Sequence, residues 1–362
     1  MNNNKRNRHR QFWQPLTKGE GAYLAIHAPM SDTVPPAPRP HTTDLDEFWT
    51  SVDFNVQAAE ADAANTFYGQ DAIQNTSAYL GPGVHAALLG SPYDFTWDSV
   101  WFGGKPIITD MEKPFHIETD KNHPLYKAID AQTRALCEAS KGRYSVAYTD
   151  IGGQYDVLYS MRGEEILADM IEFPDHVLAL QDKIDDEFIK YFNYLTDIIA
   201  PYDLGFAGWI PIASDRPWYP LQCDMSVMIS PKMFEKFVLP SLEKVANAIG
   251  PCIFHLDGPE QLQHLDMLLA MKNIHAIQWV PLNKNLGVAG RIQDFTDELS
   301  IEIYRRTLAA GRKVVLTGVV VTQIPKIFDA IGTDGVFIQT YLGSRKEADE
   351  LINHAQKSWL RV

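Results

Sequence analysis

The chain has 362 residues, 45% of them hydrophobic, enough for one large core or for two domains. A net charge of −14, from 32 basic and 46 acidic residues, argues against a phosphate-backbone partner, so no nucleic acid is expected. No apolar run reaches transmembrane length, no signal-peptide core follows the basic N-terminus, and Cys137, Cys223 and Cys252 form no CxxC pair; a cytoplasmic protein with reduced thiols and no membrane partner is expected.

The cluster Lys5-Arg6-Arg8-Arg10 reads as a solvated terminus, frayed over residues 1–20. A first strand is expected around Tyr23-Leu24-Ala25-Ile26, followed by a proline-rich irregular loop at residues 30–42 and a helix over 44–66. Residues 80–124 are rich in Gly, Pro and aromatic residues, which predicts an ordered excursion, since flexible linkers are poor in Trp and Phe.

From Gly142 onward short apolar runs recur: Tyr144–Tyr148, Gly205–Ile210, Cys252–His255, Ala276–Val280, Lys313–Leu316 and Gly335–Ile338. Helix-period segments lie between most of them. In the segment from Pro174 to Ala200, Val177, Leu180, Ile184, Phe188, Phe192, Leu195 and Ile199 fall at three- or four-residue steps on one face. Ser230-Pro231 opens another helix, which Gly250-Pro251 ends, and a further one is expected from Asp294 to Leu308. Strands alternating with helices predict an α/β fold, a TIM-type (β/α)8 barrel forming a single domain over residues 1–362 with N-terminal and loop elaborations; a doubly wound sheet is the alternative. Neither GxGxxG nor GxxxxGK[ST] follows a strand, which argues against a dinucleotide or nucleoside-triphosphate enzyme.

In such a barrel, catalytic groups come from the carboxyl ends of the strands. Those ends carry Thr149-Asp150, Trp209, His255 with Asp257, Gln278-Trp279, Thr317 and Gln339, which reads as a shared pocket or simply as polarity returning where strands stop. His255 and Asp257, two residues apart, share one face. They could be a hydrogen-bonded acid/base pair, half of a metal site, or a core histidine satisfied by an aspartate that tightens the turn. Asp224, beside Gln222 in Gln222-Cys223-Asp224, could join them as a third ligand or acid, or cap a turn; Cys223 reads as a buried inert thiol. The catalytic candidates are therefore His255, Asp257, Asp224 and Asp150. For substrate binding, Trp97, Trp101, Trp209, Trp218 and Trp279 offer stacking faces, Gln222, Gln278 and Gln339 offer hydrogen bonds, and Arg162 could clamp a carboxylate or pair with Glu164 or Asp169.

Taken together, Asp150-Ile151-Gly152-Gly153, Arg162-Gly163-Glu164-Glu165, Gln222-Cys223-Asp224 with Ser230-Pro231-Lys232-Met233-Phe234, His255-Leu256-Asp257-Gly258 and Ala276-Ile277-Gln278-Trp279-Val280-Pro281 resemble the uroporphyrinogen decarboxylase-like superfamily. Gly81-Pro82-Gly83 and Leu88-Leu89-Gly90-Ser91-Pro92 fit the branch of trimethylamine-corrinoid-associated proteins. The resemblance covers most of the chain after about residue 75. It implies a TIM-type barrel and an activity among porphyrinogen decarboxylases and corrinoid-linked methyltransferases. The methyltransferases hold zinc through a His-x-Cys pair and a Cys after the last strand. His255 matches the histidine, but Asp257 occupies the first Cys position, and the last strand ends Gln339-Thr340-Tyr341 without a Cys. A carboxylate for a thiolate makes a harder, more Lewis-acidic site, suited to alcohols, carboxylates or water rather than thiols. With Arg162 as the one plausible arginine, a multiply carboxylated porphyrinogen is also a poor fit.

Three readings follow. The first is a corrinoid-linked methyltransferase acting on a small methylated substrate, with a divalent metal, zinc foremost, on His255 and Asp257, and with a corrinoid protein docked over the mouth. The second is a corrinoid-independent lyase, isomerase or hydrolase acting on a sugar or hydroxy acid through the His-Asp pair. The third is a binding protein that kept the barrel. The resemblance makes a homodimer plausible.

Overall fold

The computed structural model describes residues 3–30, 35–202, 205–281 and 293–360, so part of the expected 30–42 loop lies outside the described residues. The strands are β1 (Tyr23–Pro29), β2 (Thr66–Gln70), β3 (Asn75–Ser77), β4 (Tyr93–Phe95), β5 (Val100–Phe102), β6 (Ser145–Ala147), β7 (Tyr219–Leu221), β8 (Cys252–Asp257), β9 (Ile274–Val280), β10 (Lys313–Leu316) and β11 (Val336–Tyr341). Seven form one sheet in the order β2-β1-β11-β10-β9-β8-β7, parallel throughout except for the antiparallel β1–β2 pair. β3 and β6 make a separate parallel pair, and β4 and β5 an antiparallel hairpin within the 80–124 excursion. Helices connect the parallel strands, as short βα and αβ links require. The fold is mixed α/β with a parallel sheet; hydrogen-bonded strands do not close into a ring among the described residues.

Side chains alternate across each strand, and the two faces of the sheet bury separate clusters. On one face Tyr23, Ala25, Ile253, Ala276, Val315 and Phe337 pack together with Phe12, Ile210, Ile212 and Trp218. On the other, Leu24, Ile26, Phe254, Leu256, Ile277, Trp279, Leu316 and Ile338 pack against the helices, including the long Pro174–Ile199 helix, whose apolar face is the one the spacing predicts. Strands buried on both faces explain why their apolar runs are nearly continuous.

Several elements depart from expectation. The expected frayed segment is helical where it is described: Asn3–Phe12 is a helix with His9 and Phe12 buried. Its basic side chains have specific partners, Lys5 Nζ donating to the carbonyls of Tyr68 and Ala72, Arg8 pairing with Asp71 and Arg10 with Asp215. The charge run misled because the apolar anchor, Phe12, follows it; that ring packs edge-on against Tyr23 and Phe337. The 44–66 helix is two helices, Leu45–Thr50 and Val52–Asn65, split at Ser51, whose side chain caps the second by accepting from Phe54 N. The Gly205–Ile210 run is no strand; Phe206 makes an isolated antiparallel bridge to Ser214. Gly205 there has φ +74°, outside the extended region. The Ser230 helix is interrupted by a π turn at Phe234–Val238, just before Pro240, which lacks the N–H an α-helical ladder needs. The 294–308 helix starts later, at Glu298, where the Asp297 side chain caps Ser300 N.

Lys313 and Glu20 form an ion pair of 2.8 Å with both side chains inaccessible to solvent. Lys313 Nζ also donates to Gln11 O and Tyr23 Oη, so its charge is matched on several sides. Removing one partner strands the other charge in the interior. Glu20→Ala is expected to lower unfolding free energy by roughly 3–5 kcal/mol in urea titration. The double change Glu20→Met/Lys313→Met is expected to recover most of it.

Asp185 is buried, accepting hydrogen bonds from Gln181 Nε2 (2.8 Å) and Ser241 Oγ (2.7 Å). Burial pushes its carboxyl up to about 6, above the unfolded value near 3.9. The native state therefore holds this proton more tightly than the unfolded chain, and the stabilisation is present at low pH and lost as pH rises from about 4 through 6. Asp185→Asn should remove that dependence. Its stability relative to wild type should rise across pH 4 to 7 by up to about 2–3 kcal/mol, read from urea curves at each pH.

Candidate functional site

The pleat that buries Ile253 carries His255 and Asp257 onto the same face, past the apolar layer and into the polar end of the sheet. In the parallel register His255 lies opposite Gln278 of β9. The His255 Nδ1–H donates to Gln278 Oε1 at 2.8 Å, and Gln278 Nε2 donates to Thr317 Oγ1 at 2.9 Å. This chain fixes the imidazole tautomer and leaves the Nε2 lone pair free. Trp209 stands edge-on to the ring, with centroids 4.9 Å apart. Burial lowers the His255 pKa, opposed by the Gln278 hydrogen bond and by the charges of Asp257 and Asp156. Neutral imidazole with a defined tautomer is the form that ligates a cation or accepts a proton.

Asp224 opens the short 224–228 turn after Cys223. One ligand atom each from Asp224, His255 and Asp257 lie within 4.8 Å of one another. Gln261 ties the two segments together: its Oε1 accepts from Asp257 N (3.1 Å) and its Nε2 donates to Cys223 O (3.1 Å). Asp156 holds the turn from beneath, accepting from the backbone N–H of Asp224 (2.9 Å) and of Met225 (2.8 Å). Sequence reasoning missed Asp156. The available signal was Gly153, the cap of the Gln154–Arg162 helix, where a Cβ would collide with the Asp156 carboxylate and the Gln222 carbonyl.

The carboxyl groups are crowded. Burial, then the charge of Asp224, pushes Asp156 up to about 7. Solvent reaches Asp224, but desolvation and the charge of Asp257 still push it up to about 6. Asp150, buried nearby and accepting from Tyr219 Oη at 3.4 Å, rises to about 7, mainly through burial. Tyr219 Oη in turn accepts from Ile151 N at 2.6 Å, so the hydroxyl braces the turn that carries Asp150, and the charge of Asp224 reaches Asp150 as well. Such an arrangement binds protons or a divalent cation.

The fold sorts the remaining candidates. Trp209, Gln278 and Gln339 line a cleft of about 450 Å³ beside the cluster. Gln222 is buried behind it, with its backbone carbonyl against Gly153. Trp218 packs on Trp13 in the interior and donates to Phe206 O. Trp279, one residue out of phase with Gln278, faces the helices and donates to Ser300 Oγ at 2.8 Å. Trp97 and Trp101 are exposed, in the turn and second strand of the β4–β5 hairpin, with Trp97 against Phe48. Arg162 forms a two-pronged ion pair with Asp169 and donates to Ile108 O, so the guanidinium is engaged internally. Cys223 is buried, and burial pushes its thiol well above the usual range, in keeping with an inert role.

No protein-family model and no curated protein matches the sequence. A solved structure does: a methyltransferase from Methanosarcina mazei superposes over 98% of this chain and 98% of its own, with a TM-score of 0.59 and 11% sequence identity. Agreement along nearly the full length of both chains, at so low an identity, establishes a shared fold.

Gln278→Leu should leave the fold intact and release the His255 ring. The His255 ring signals in NMR are expected to change from one tautomer to a mixture of both, while the midpoint of thermal unfolding stays near wild type.

Proposed function

We propose that this chain is a methyltransferase-like enzyme of the uroporphyrinogen decarboxylase-like superfamily, acting on a small methylated molecule where the strands end. The observation that carries the reading is the convergence of Asp224, His255 and Asp257 beside an open cleft, with the His255 tautomer set by Gln278 and Thr317. The fold shared with a methyltransferase supports it.

A (β/α)8 barrel is the proposed closure of the sheet. Two contacts support it in the gap between β6 and β7, which residues 205–210 fill. Tyr148 N donates to Ala207 O at 3.0 Å, and Gly208 lies so close to the Pro220 ring that a Cβ would not fit. The separation of the core into an inner and an outer cluster is what a closed sheet produces.

The donor set fits a divalent cation. Two carboxylates and one imidazole, without a thiolate, suit a hard or borderline ion such as zinc or manganese, and a cation would favour the ionised form of Asp224 and Asp156, which burial and then a neighbouring carboxylate oppose. When bound, the metal would supply Lewis acidity towards a substrate heteroatom. His255 would present Nε2, Gln278 would hold the ring, and Asp156 would keep the Asp224 backbone in place. A corrinoid carried by a partner protein would supply the methyl acceptor, docking over the mouth, where Tyr341 exposes its ring.

Metal content by mass spectrometry tests the reading. Near-stoichiometric divalent metal in the wild type, lost in Asp257→Ala, is the expected result, and Asp257→Asn should cut turnover at least about 100-fold with the fold unchanged. A metal-free protein whose Asp257→Asn variant keeps full activity would refute the assignment. A metal-free protein that loses activity in Asp257→Asn would instead favour the alternative, an acid/base lyase, isomerase or hydrolase. The raised carboxyls of Asp150, Asp156 and Asp224 give that alternative its specific support.

A further inference from the structure

The cleft beside the cluster has a chemistry of its own. Two polar atoms on its lining residues are buried without a hydrogen-bond partner: the Trp209 Nε1–H, a donor, and the Asn75 Oδ1, an acceptor. Asn75 Nδ2 donates at 2.6 Å to the carbonyl of Gly208, the residue before Trp209, which ties the two residues to one stretch of backbone. A buried polar group left without a partner is costly. A hydroxyl can meet either, accepting from the indole N–H or donating to the amide oxygen. Further along the cleft, Thr317 Oγ1 accepts from Gln278 Nε2 and so keeps its own proton to donate.

The walls are aromatic. Tyr68 and Tyr341 flank His27, with ring centroids 5.4 and 4.9 Å from it. Charge is balanced: Arg39, on the rim, is paired with Asp62 at 3.0 Å. His27 Nε2 accepts from Gln339 Nε2 at 3.2 Å, which requires an unprotonated ring nitrogen. A carboxylate or phosphate therefore meets no uncommitted cation among the described lining residues. A quaternary ammonium would suit the rings but would leave the Trp209 donor unmet.

We propose that this cleft binds an uncharged cyclic polyol, a monosaccharide or cyclitol, with a ring face on Tyr68 and Tyr341 and ring hydroxyls meeting Trp209 Nε1 and Asn75 Oδ1. The inference rests on the reading of the strand ends as a substrate site. Gln278 and Trp209 touch both cleft and His255, so a methyl ether of such a polyol can lie across them with its ether oxygen towards the cluster.

The test is calorimetric titration of the full chain with myo-inositol, methyl α-glucopyranoside and 3-O-methylglucose, alongside guaiacol, tetramethylammonium and succinate. Saturable binding of at least one neutral polyol is expected, with guaiacol, tetramethylammonium and succinate weaker. Trp209→Phe keeps a ring and removes the N–H, and should weaken polyol binding about tenfold. Thr317→Val, nearly isosteric, should weaken it severalfold and carries the test if Trp209→Phe unfolds. Absence of polyol binding, preference for guaiacol or tetramethylammonium, or indifference of polyol binding to these substitutions would overturn the proposal. Asp257→Asn separates the two readings. Polyol binding retained in a variant that binds no metal would support the cleft independently, whereas metal binding without any polyol binding would sink this inference alone.

Discussion

The register between β8 and β9 is the constraint on which the site depends. Parallel pairing places His255 directly opposite Gln278, and the pleat then decides everything within two residues of them. His255, Asp257 and Gln278 share one face of the sheet, while Leu256 and Trp279 turn to the helices on the other. A slip of one residue would send the imidazole into the helix layer and Trp279 into the cleft. The in-register run from His255↔Gln278 to Asp257↔Val280 guards against that slip, and the one irregularity lies at the other end of the strand, between Cys252 and Ile253.

Along that same face β1, β8, β9, β10 and β11 repeat one plan, apolar first and polar at the strand end or just past it. Tyr23 and Ala25 lead to His27, Ile253 to His255, Ala276 to Gln278, Val315 to Thr317, and Phe337 to Gln339. The apolar half provides a rigid base, and the polar half can then hold unpaired hydrogen-bonding atoms and crowded carboxyls at tolerable cost. Function and stability are thus separated along the strand axis, a division that a parallel sheet makes available because all its strands run the same way.

Much of this was legible in the sequence. The β8 and β9 runs, the His255–Asp257 spacing and the helix face from Val177 to Ile199 all follow local periodicity, and local periodicity survives folding. What failed depended on distant partners. The Lys5–Arg10 run gave no hint that Asp71 and Asp215 would receive it. Asp156 sits on a helix more than 60 residues before Asp224, and nothing in the spacing links them. Trp218 and Trp279 could not be separated from Trp209 by residue type: strand phase turns Trp279 to the helices, while packing against Trp13 from the distant N-terminal segment buries Trp218. Arg162 shows the same limit: Asp169 was one of two acidic partners weighed from sequence, and geometry chose it.

The N-terminal helix carries a consequence for how the chain is made. Phe12 is packed against Phe337, Phe12 O accepts from His275, and Gln11 O accepts from Lys313. These partners are synthesised more than 260 residues after the segment they receive. On a ribosome this helix must therefore wait, its aromatic anchor incompletely covered, until those partners have emerged, so a late folding event joins segments made far apart in time. Such a protein leans on whatever shields exposed apolar segments during translation, and its yield should be governed less by final stability than by how long that interval lasts.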